Sequence, residues 1–229
     1  MLVSATSRCA TKTVLTAAEL HINDIPPLVT ISAISDGVIN LAESTQALPI
    51  SGTSDAPVGS LVTVTINGHN YTTTVQSGGV FTVTVPGSIV AAIANGTQTV
   101  VASVVNRFGA IGVDTEPVLV DKTPPAAPAA DIAMPSDTGI SNTDNITSDN
   151  TPTISGTGTN GDTITVTLPT GEVLTTTVVN GAWSVTPTQA LPDGAQSVLV
   201  TATDPAGNVS PATTVPVTVD TTAPAAPTA

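Results

Sequence analysis

The sequence predicts an all-β protein made of two consecutive β-sandwich domains. Val and Thr, whose β-branched side chains suit a pleated sheet, dominate the segments between turns, whereas aromatic residues make up only 2% of the chain. Eighteen Gly and nineteen Pro are spread between these segments, where turns are expected. The stretch VLVDKTPPAAPAA at Val118–Ala130 returns 99 residues later as VTVDTTAPAAPTA at Val217–Ala229. A repeat of this length matches the size of one sandwich domain.

Internal repetition also sets the predicted domain boundaries. ISGTS at Ile50–Ser54 is echoed by ISGTG at Ile154–Gly158, and Phe81 and Trp183 occupy matching positions in GGVFTV and NGAWSV. The Pro- and Ala-rich repeats are expected to be short, semi-rigid linkers, since proline fixes φ and lacks a donor. The predicted divisions are an unassigned N-terminal segment ending in a degraded linker copy, two domains, and the start of a further linker: 1–26, 27–121, 122–220 and 221–229.

Alternating apolar and polar residues between turn signals predict seven strands in each domain. Val62, Val64 and Ile66, for example, share one face of a strand. Phe81 and Trp183 fall on inward positions, so each is predicted to be the central aromatic side chain of its core. The predicted strands lie near 28–34, 46–52, 60–66, 70–76, 79–85, 97–105 and 112–120, then 128–133, 152–157, 162–168, 173–179, 182–186, 197–204 and 213–220, with a short helical turn within 86–96.

The charge balance narrows the classes of partner. Four Lys and Arg stand against seventeen Asp and Glu, which gives a net charge of −13. Such a field repels nucleic acid and anionic membrane surfaces, so neither is expected as a partner. No apolar run reaches the length of about 20 residues that crosses a bilayer. Cys9 is the only cysteine, which rules out an intramolecular disulfide and leaves a bound metal as the obvious brace, although domains of this size also fold without one.

The acidic residues of the second domain lie between strands, and the segment 131–152 holds four aspartates with asparagines interleaved. Hard divalent cations take about six to eight oxygen ligands from carboxylates, amides and backbone carbonyls. Calcium bound where such loops meet the preceding linker would neutralise the repulsion and fix the angle between domains. The alternative that stays open is that Asp and Asn are simply common in turns.

The segments DNTPTISGTGTNGDTITV, NGAWSVTP, LPDGAQSVLVTATDPAGNVS and VDTTAPAAP resemble the bacterial Ig-like repeats of giant biofilm-associated and type I-secreted adhesins. The first domain is similar to the extender domains of RTX adhesins, and the resemblance covers about residues 27–229. It implies an immunoglobulin-like sandwich fold, export to the bacterial cell surface, and calcium at the junctions between domains. The ligands it implies are Asp121, Asp137, Asp149 and Asp204, then Asp162 and Asn208, with Asp36 and Glu43 as the corresponding acids of the first domain and Asp220 serving a following domain.

One loop of the first domain departs from this pattern. TDPAGNVS of the second domain is replaced there by VNRFGAIGV, in which Asn106 stands for the acid and Arg107 adds a positive charge. Calcium binding is therefore not expected at that loop of the first domain.

Three classes of function follow from these features. An enzyme is not expected, because His21 and His69 are the only histidines and neither lies in a pattern that makes a catalytic triad or a zinc site. A ligand- or carbohydrate-binding module at the tip of a surface protein is the alternative left open. The favoured prediction is a calcium-rigidified extender of an extracellular adhesin that supports adhesion and biofilm formation, whose partners are neighbouring repeats and a host or abiotic surface.

Overall fold

The structure, a computed structural model, describes residues 25–227. The described residues separate into two compact units, one formed by 25–39 with 43–121 and the other by 40–42 with 122–227. Cys9, His21 and most of the N-terminal segment predicted at 1–26 lie outside the described residues.

The first unit is a sandwich of a three-stranded and a five-stranded sheet, in the orders β1-β3-β6 and β2-β8-β7-β4-β5. All neighbouring strands are antiparallel except β2 and β8, which are parallel. An α-helix, α1 (Gly87–Ala92), follows β6. The strands are β1 (Val29–Ile31), β2 (Val38–Ile39), β3 (Leu48–Ser54), β4 (Leu61–Ile66), β5 (His69–Thr74), β6 (Val80–Val85), β7 (Gly96–Val105) and β8 (Ile111–Val120).

The second unit repeats this topology strand for strand. Its sheets have the orders β14-β11-β9 and β10-β16-β15-β12-β13, and β10 pairs parallel with β16 just as β2 pairs with β8. The strands are β9 (Ala129–Ile132), β10 (Ile146–Thr147), β11 (Ile154–Thr157), β12 (Thr163–Thr167), β13 (Val173–Thr177), β14 (Ala182–Val185), β15 (Gly194–Thr203) and β16 (Thr213–Val219).

Each core is built from aliphatic side chains around one aromatic ring. Phe81 is 1% exposed and Trp183 is 5% exposed, which confirms their predicted place in the core. Each ring faces a glycine on the neighbouring strand, because Phe81 pairs with Gly52 and Trp183 with Gly156. A Cβ atom at Gly156 would stand 2.9 Å from Trp183 Cζ2, so the indole ring fits only because residue 156 has no side chain.

Sequence patterning predicts most of this architecture. The fourteen strands it predicts are all present, and α1 confirms the helical turn predicted within 86–96. The two-residue strands β2 and β10 and a 3₁₀ helix at Glu43–Thr45 were not predicted, because such short elements carry no readable period. Within residues 25–227, none of the helices is long and apolar enough to cross a membrane.

Candidate metal-binding sites

The predicted ligands are best described by the two ends of each sandwich. We call the end that the chain reaches before the first strand the entry end, and the end from which it leaves after the last strand the exit end. In the second domain, the Pro128 carbonyl at the entry end accepts a hydrogen bond of 2.6 Å from Thr213 Oγ1. At the exit end, Gly194 pairs with Val219, directly before Asp220.

Asp162, Asp204 and Asn208 lie together at the entry end of the second domain. Asp162 and Asn208 are each 3% exposed. Asp204 Oδ1 accepts from the Asn208 backbone N–H at 2.8 Å, and the Asn208 side-chain amide donates to Asp204 Oδ2 at 2.9 Å. Gly207, with φ of 86°, closes this turn and donates its N–H to the Asp204 carbonyl.

The electrostatics of this group favour a bound cation. Removal from water raises the pKa of Asp162 above its usual value, and the negative charge of Asp204 raises it further. Both effects penalise the ionised carboxylate at neutral pH. A hard cation with oxygen ligands would reverse both, since it replaces the lost water and balances the two charges.

The entry end of the first domain has the same backbone turn with different side chains. The Asn106 N–H donates to the Ala110 carbonyl as the Asp204 N–H donates to the Asn208 carbonyl, at 3.0 Å in both cases. Ser60 of the first domain occupies the position of Asp162 in the second. The N–H of each residue donates to the carbonyl three residues earlier, and its own carbonyl accepts from the N–H of the residue that follows the next strand, Val75 or Val178. The first domain therefore replaces all three oxygen-rich side chains.

Arg107 follows Asn106 in this turn and lies 4.6 Å from the centre of the Phe108 ring. Phe108 is half exposed and lines, with Arg107, Asp55 and Pro57, a groove of about 420 Å³ at the entry end of the first domain. The entry end of the second domain thus carries two carboxylates, whereas the entry end of the first domain carries a basic side chain and an aromatic ring.

Asp137 and Asp149 lie at the exit end of the second domain. Asp149 donates its N–H to Thr147 Oγ1 at 2.9 Å, and the Asp220 N–H donates to the Thr147 carbonyl at 2.8 Å. Asp137 is buried, and its Oδ2 accepts from the Asn145 N–H at 3.3 Å. Sequence reasoning expected Asp137 and Asp149 to lie beside the linker that precedes the domain. The structure places them at the opposite end, because β9 carries the chain along the sandwich before their loop begins.

Asp36, Glu43 and Asp121 lie around β2 at the exit end of the first domain. Asp36 Oδ1 accepts from the Val38 N–H at 3.1 Å, and Asp144 Oδ1 accepts from the Ile146 N–H at 3.2 Å in the same turn of the second domain. The Asp121 N–H donates to the Ile39 carbonyl at 3.0 Å, and Glu43 Oε1 accepts from Ser35 Oγ at 2.8 Å.

Sequence reasoning did not select Asp144 as a ligand, although it lines a cavity of about 370 Å³ together with Asp220. Its match to Asp36 is hidden in the sequence because the two connections differ in length. Within residues 25–227, no group of three or more His, Cys, Asp or Glu side chains is close enough to hold a metal by itself. Any site here would also need backbone carbonyl or amide oxygens.

These features define a class of protein: tandem immunoglobulin-like β-sandwich modules whose acidic side chains are concentrated at the domain ends. Residues 123–221 match the family model of the bacterial Ig-like domain, so the second domain belongs to this family. The resemblance inferred from sequence is thereby confirmed. A comparison with curated protein sequences gives no match.

Two solved structures with TM-scores above 0.5 agree with this assignment. A Ca²⁺-stabilised adhesin with which an Antarctic bacterium reaches out and binds ice is 33% identical over 86% of this chain, with a TM-score of 0.53. A 1.5-MDa bacterial ice-binding adhesin, studied for host cell surface retention, is 31% identical over 85% of this chain, with a TM-score of 0.51. The chain spans 50% and 64% of the lengths of these two structures. A bacterial immunoglobulin-like domain from the M. primoryensis ice-binding adhesin is 36% identical over 42% of this chain and 98% of its own length, with a TM-score of 0.34.

Proposed function

We propose that this chain is an extender segment of a large bacterial cell-surface adhesin, in which Ca²⁺ bound at the domain ends makes the array of repeats rigid. The family assignment and the likeness to a Ca²⁺-stabilised adhesin support this function. The observation that carries it is the buried carboxylate of Asp162 beside Asp204 and Asn208, at the end of the domain that the predicted linker enters.

These residues suit a calcium ion by their chemistry. Asp162 and Asp204 would supply carboxylate oxygens and Asn208 an amide oxygen, and backbone carbonyls would complete the coordination shell. Asp121 directly precedes the second unit in the sequence and stays a proposed ligand, as do Asp36 and Glu43 at the exit end of the first domain. A bound ion would supply the positive charge that makes these ends stable without a disulfide or a larger core.

A matched set of variants tests this role. Adding millimolar Ca²⁺ to the chelated chain should raise its melting temperature, because a ligand present at 100 times its Kd stabilises the folded state by about 2.7 kcal/mol. The double variant Asp162→Asn with Asp204→Asn should lose most of that increase. Asp193→Asn, an exposed acid at the other end whose carboxylate accepts from Thr221, should keep it.

Small-angle scattering measures the rigidity directly. Ca²⁺ should increase the maximum dimension of the wild-type chain and narrow its spread of conformations, and it should do neither for the double variant. Equal melting and equal scattering in Ca²⁺ and in chelator would rule out the calcium role and leave the extender without its proposed brace.

The exposed Phe108 ring favours one second candidate, a ligand- or carbohydrate-binding module at the tip of a surface protein. An aromatic face beside Arg107 and a groove of about 420 Å³ is a chemistry that sugars and peptides bind. A glycan array separates the two functions. An extender should bind none of the glycans, whereas a tip module should bind one class and lose it in Phe108→Ala. Export, surface attachment and biofilm formation follow from either function.

A further inference from the structure

One edge of each sandwich is protected by a carboxylate. β1 and β9 are edge strands of the two three-stranded sheets. On β1, the Ile31 N–H points away from β3 and donates to Asp114 Oδ2 at 2.7 Å. On β9, the Ile132 N–H points away from β11 and donates to Asp131 Oδ1 at 3.0 Å. Both domains thus occupy an outward donor on this edge, so that it cannot pair with another strand.

β13, an edge strand of the five-stranded sheet in the second domain, has no such protection. Directly after it, the Val178 N–H donates to the Asp162 carbonyl at 2.9 Å, which fixes the alternation of hydrogen bonds along the strand. The backbone N–H and C=O groups of Val173, Thr175 and Thr177 therefore point away from β12. Within the described residues, these outward groups have no hydrogen-bond partner.

β13 also lacks the sequence features that keep a free edge from pairing. Its sequence, VLTTT, contains no charged residue and no proline, and its register with β12 is continuous over all 5 residues, without a bulge. Val173, Thr175 and Thr177 are exposed. The other edge strand of the same sheet, β10, is only 2 residues long, which is a common way to prevent pairing. β13 can therefore accept a further strand, whereas β10 cannot.

The matching strand of the first domain is less open. β5 also ends in three threonines, and by the same alternation its outward residues are Asn70, Thr72 and Thr74. The Thr74 carbonyl, however, already accepts a hydrogen bond from Gln76 Nε2 at 2.9 Å. β5 therefore has the chemistry of β13 but a shorter free edge.

The surroundings of β13 favour a strand like itself over a charged partner. The chain has a net charge of −13, yet β12, β13, β15 and β16 contain no Asp, Glu, Lys or Arg. A basic segment would find no carboxylate on these strands, and a helix cannot pair with a row of outward N–H and C=O groups. An uncharged strand can pair there, and another copy of this chain supplies one.

We propose that β13 is a homotypic contact, at which the five-stranded sheet of the second domain pairs with the same sheet of a second copy. In an antiparallel pair centred on Thr175, that residue lies opposite Thr175 of the second copy, and Val173 lies opposite Thr177. All three outward residues then exchange both of their backbone hydrogen bonds. The contact is symmetric, because the same strand serves both copies.

This contact goes beyond the proposed function, because it requires neither calcium nor a neighbouring repeat. A single pair of short strands buries little surface, so two isolated chains should associate weakly. Chains that carry many repeats and lie side by side would form several such contacts at once, and the association would become correspondingly tighter.

Sedimentation of the full chain in chelator tests the contact. The weight-average mass should rise from that of one chain toward that of two as the concentration increases. Salt should strengthen the association, because it screens the repulsion between two acidic chains. Thr175→Pro should abolish the rise, since proline removes an outward N–H that the ladder with β12 does not use. Thr72→Pro, at the equivalent position of β5, is the matched control and should keep most of it.

Opposite charges at position 175 test the two-fold arrangement. Thr175→Lys alone and Thr175→Glu alone should each remain monomeric, because like charges would lie directly opposite each other. An equal mixture of the two variants should associate at least as strongly as the wild type. Both variants keep the backbone of β13, so they test the contact even if Thr175→Pro does not fold.

Hydrogen exchange gives a local measurement of the same contact. The Thr175 and Thr177 amides should exchange more slowly at high than at low chain concentration, because the second copy accepts their hydrogen bonds. The Thr176 amide is the control, since this residue already pairs with Ile164 and its exchange should not depend on concentration.

Four results would overturn the contact. The chain could remain monomeric at every concentration, or the Lys and Glu variants could fail to associate when mixed. Thr165→Lys, which places a charge on the outer face of β12, could abolish association while Thr175→Pro does not, which would mean packing between sheet faces. Association could also require Ca²⁺. Association in chelator with no stabilisation by Ca²⁺ would reject the calcium role of the proposed function and support this contact.

Discussion

Gly156 of β11 tests how closely the second domain is packed. It lies between Ala130 of β9 and Trp183 of β14, its partners on either side in the sheet. A Cβ atom at this position would collide with the Ala129 carbonyl oxygen and stand 2.9 Å from Trp183 Cζ2. The carbonyl is part of a paired strand and the indole is buried, so neither can move without loss of packing. Overpacking of this kind costs about 1–3 kcal/mol.

Thermal unfolding followed by calorimetry measures this cost. For a domain of about 100 residues, a loss of about 2 kcal/mol lowers the melting temperature by roughly 8–16 °C. Gly158→Ala is the matched control, because the nearest atom to its new Cβ would be Val178 Cγ2 at 3.0 Å, on a side chain that can adjust. Gly156→Ala within about 0.5 kcal/mol of the wild type, which is the usual range of surface changes, would refute the packing argument.

The remaining predictions concern two carboxylates. The raised pKa of Asp162 means that, without a cation, its contribution to stability is complete below the unfolded value of about 3.9 and is lost as pH rises through the folded pKa. Chelated wild type should therefore lose stability relative to Asp162→Asn as pH rises from about 4 to 7, and Ca²⁺ should remove the difference. The Thr188 hydroxyl hydrogen bond lowers the pKa of Glu172, against a smaller opposing effect of burial. That contribution should be present above the unfolded pKa and lost on acidification, so the melting temperature of Glu172→Gln should depend less on pH in that range.

The fold was predictable because its signals are local and repeated. Val62, Val64 and Ile66 alternate with threonines and are all fully buried, as a half-buried strand requires. The recurrence of a glycine-containing motif before each aromatic marks Phe81 and Trp183 as equivalent. Both signals depend only on the order of residues along the chain.

The grouping of the candidate ligands was not predictable in the same way. Asp137 reads as an ordinary turn aspartate in a loop rich in Asp and Asn, and no period reveals that its carboxylate is buried. Its position at the exit end depends on the direction of β9, whereas Asp162 and Asp204 meet at the entry end because Thr163 pairs with Thr203. Proximity in sequence to the predicted linker was therefore a poor guide to proximity in space.

The two domains have similar cores and differ at their ends. The physical reason is that core residues determine packing, whereas end residues determine the surface chemistry of the domain. Core positions such as those of Phe81 and Trp183 are held by packing against glycine and aliphatic neighbours, so their chemistry has little freedom. In each domain the residue that opens the entry turn, Asn106 or Asp204, donates its N–H to a carbonyl and accepts a backbone N–H at its side-chain oxygen. Because the turn does not depend on a carboxylate, a domain can gain or lose acidic ligands at its end without a change of fold. Repeats of one architecture can thus carry an acidic group at the entry end of one domain and an aromatic and basic surface at the entry end of another.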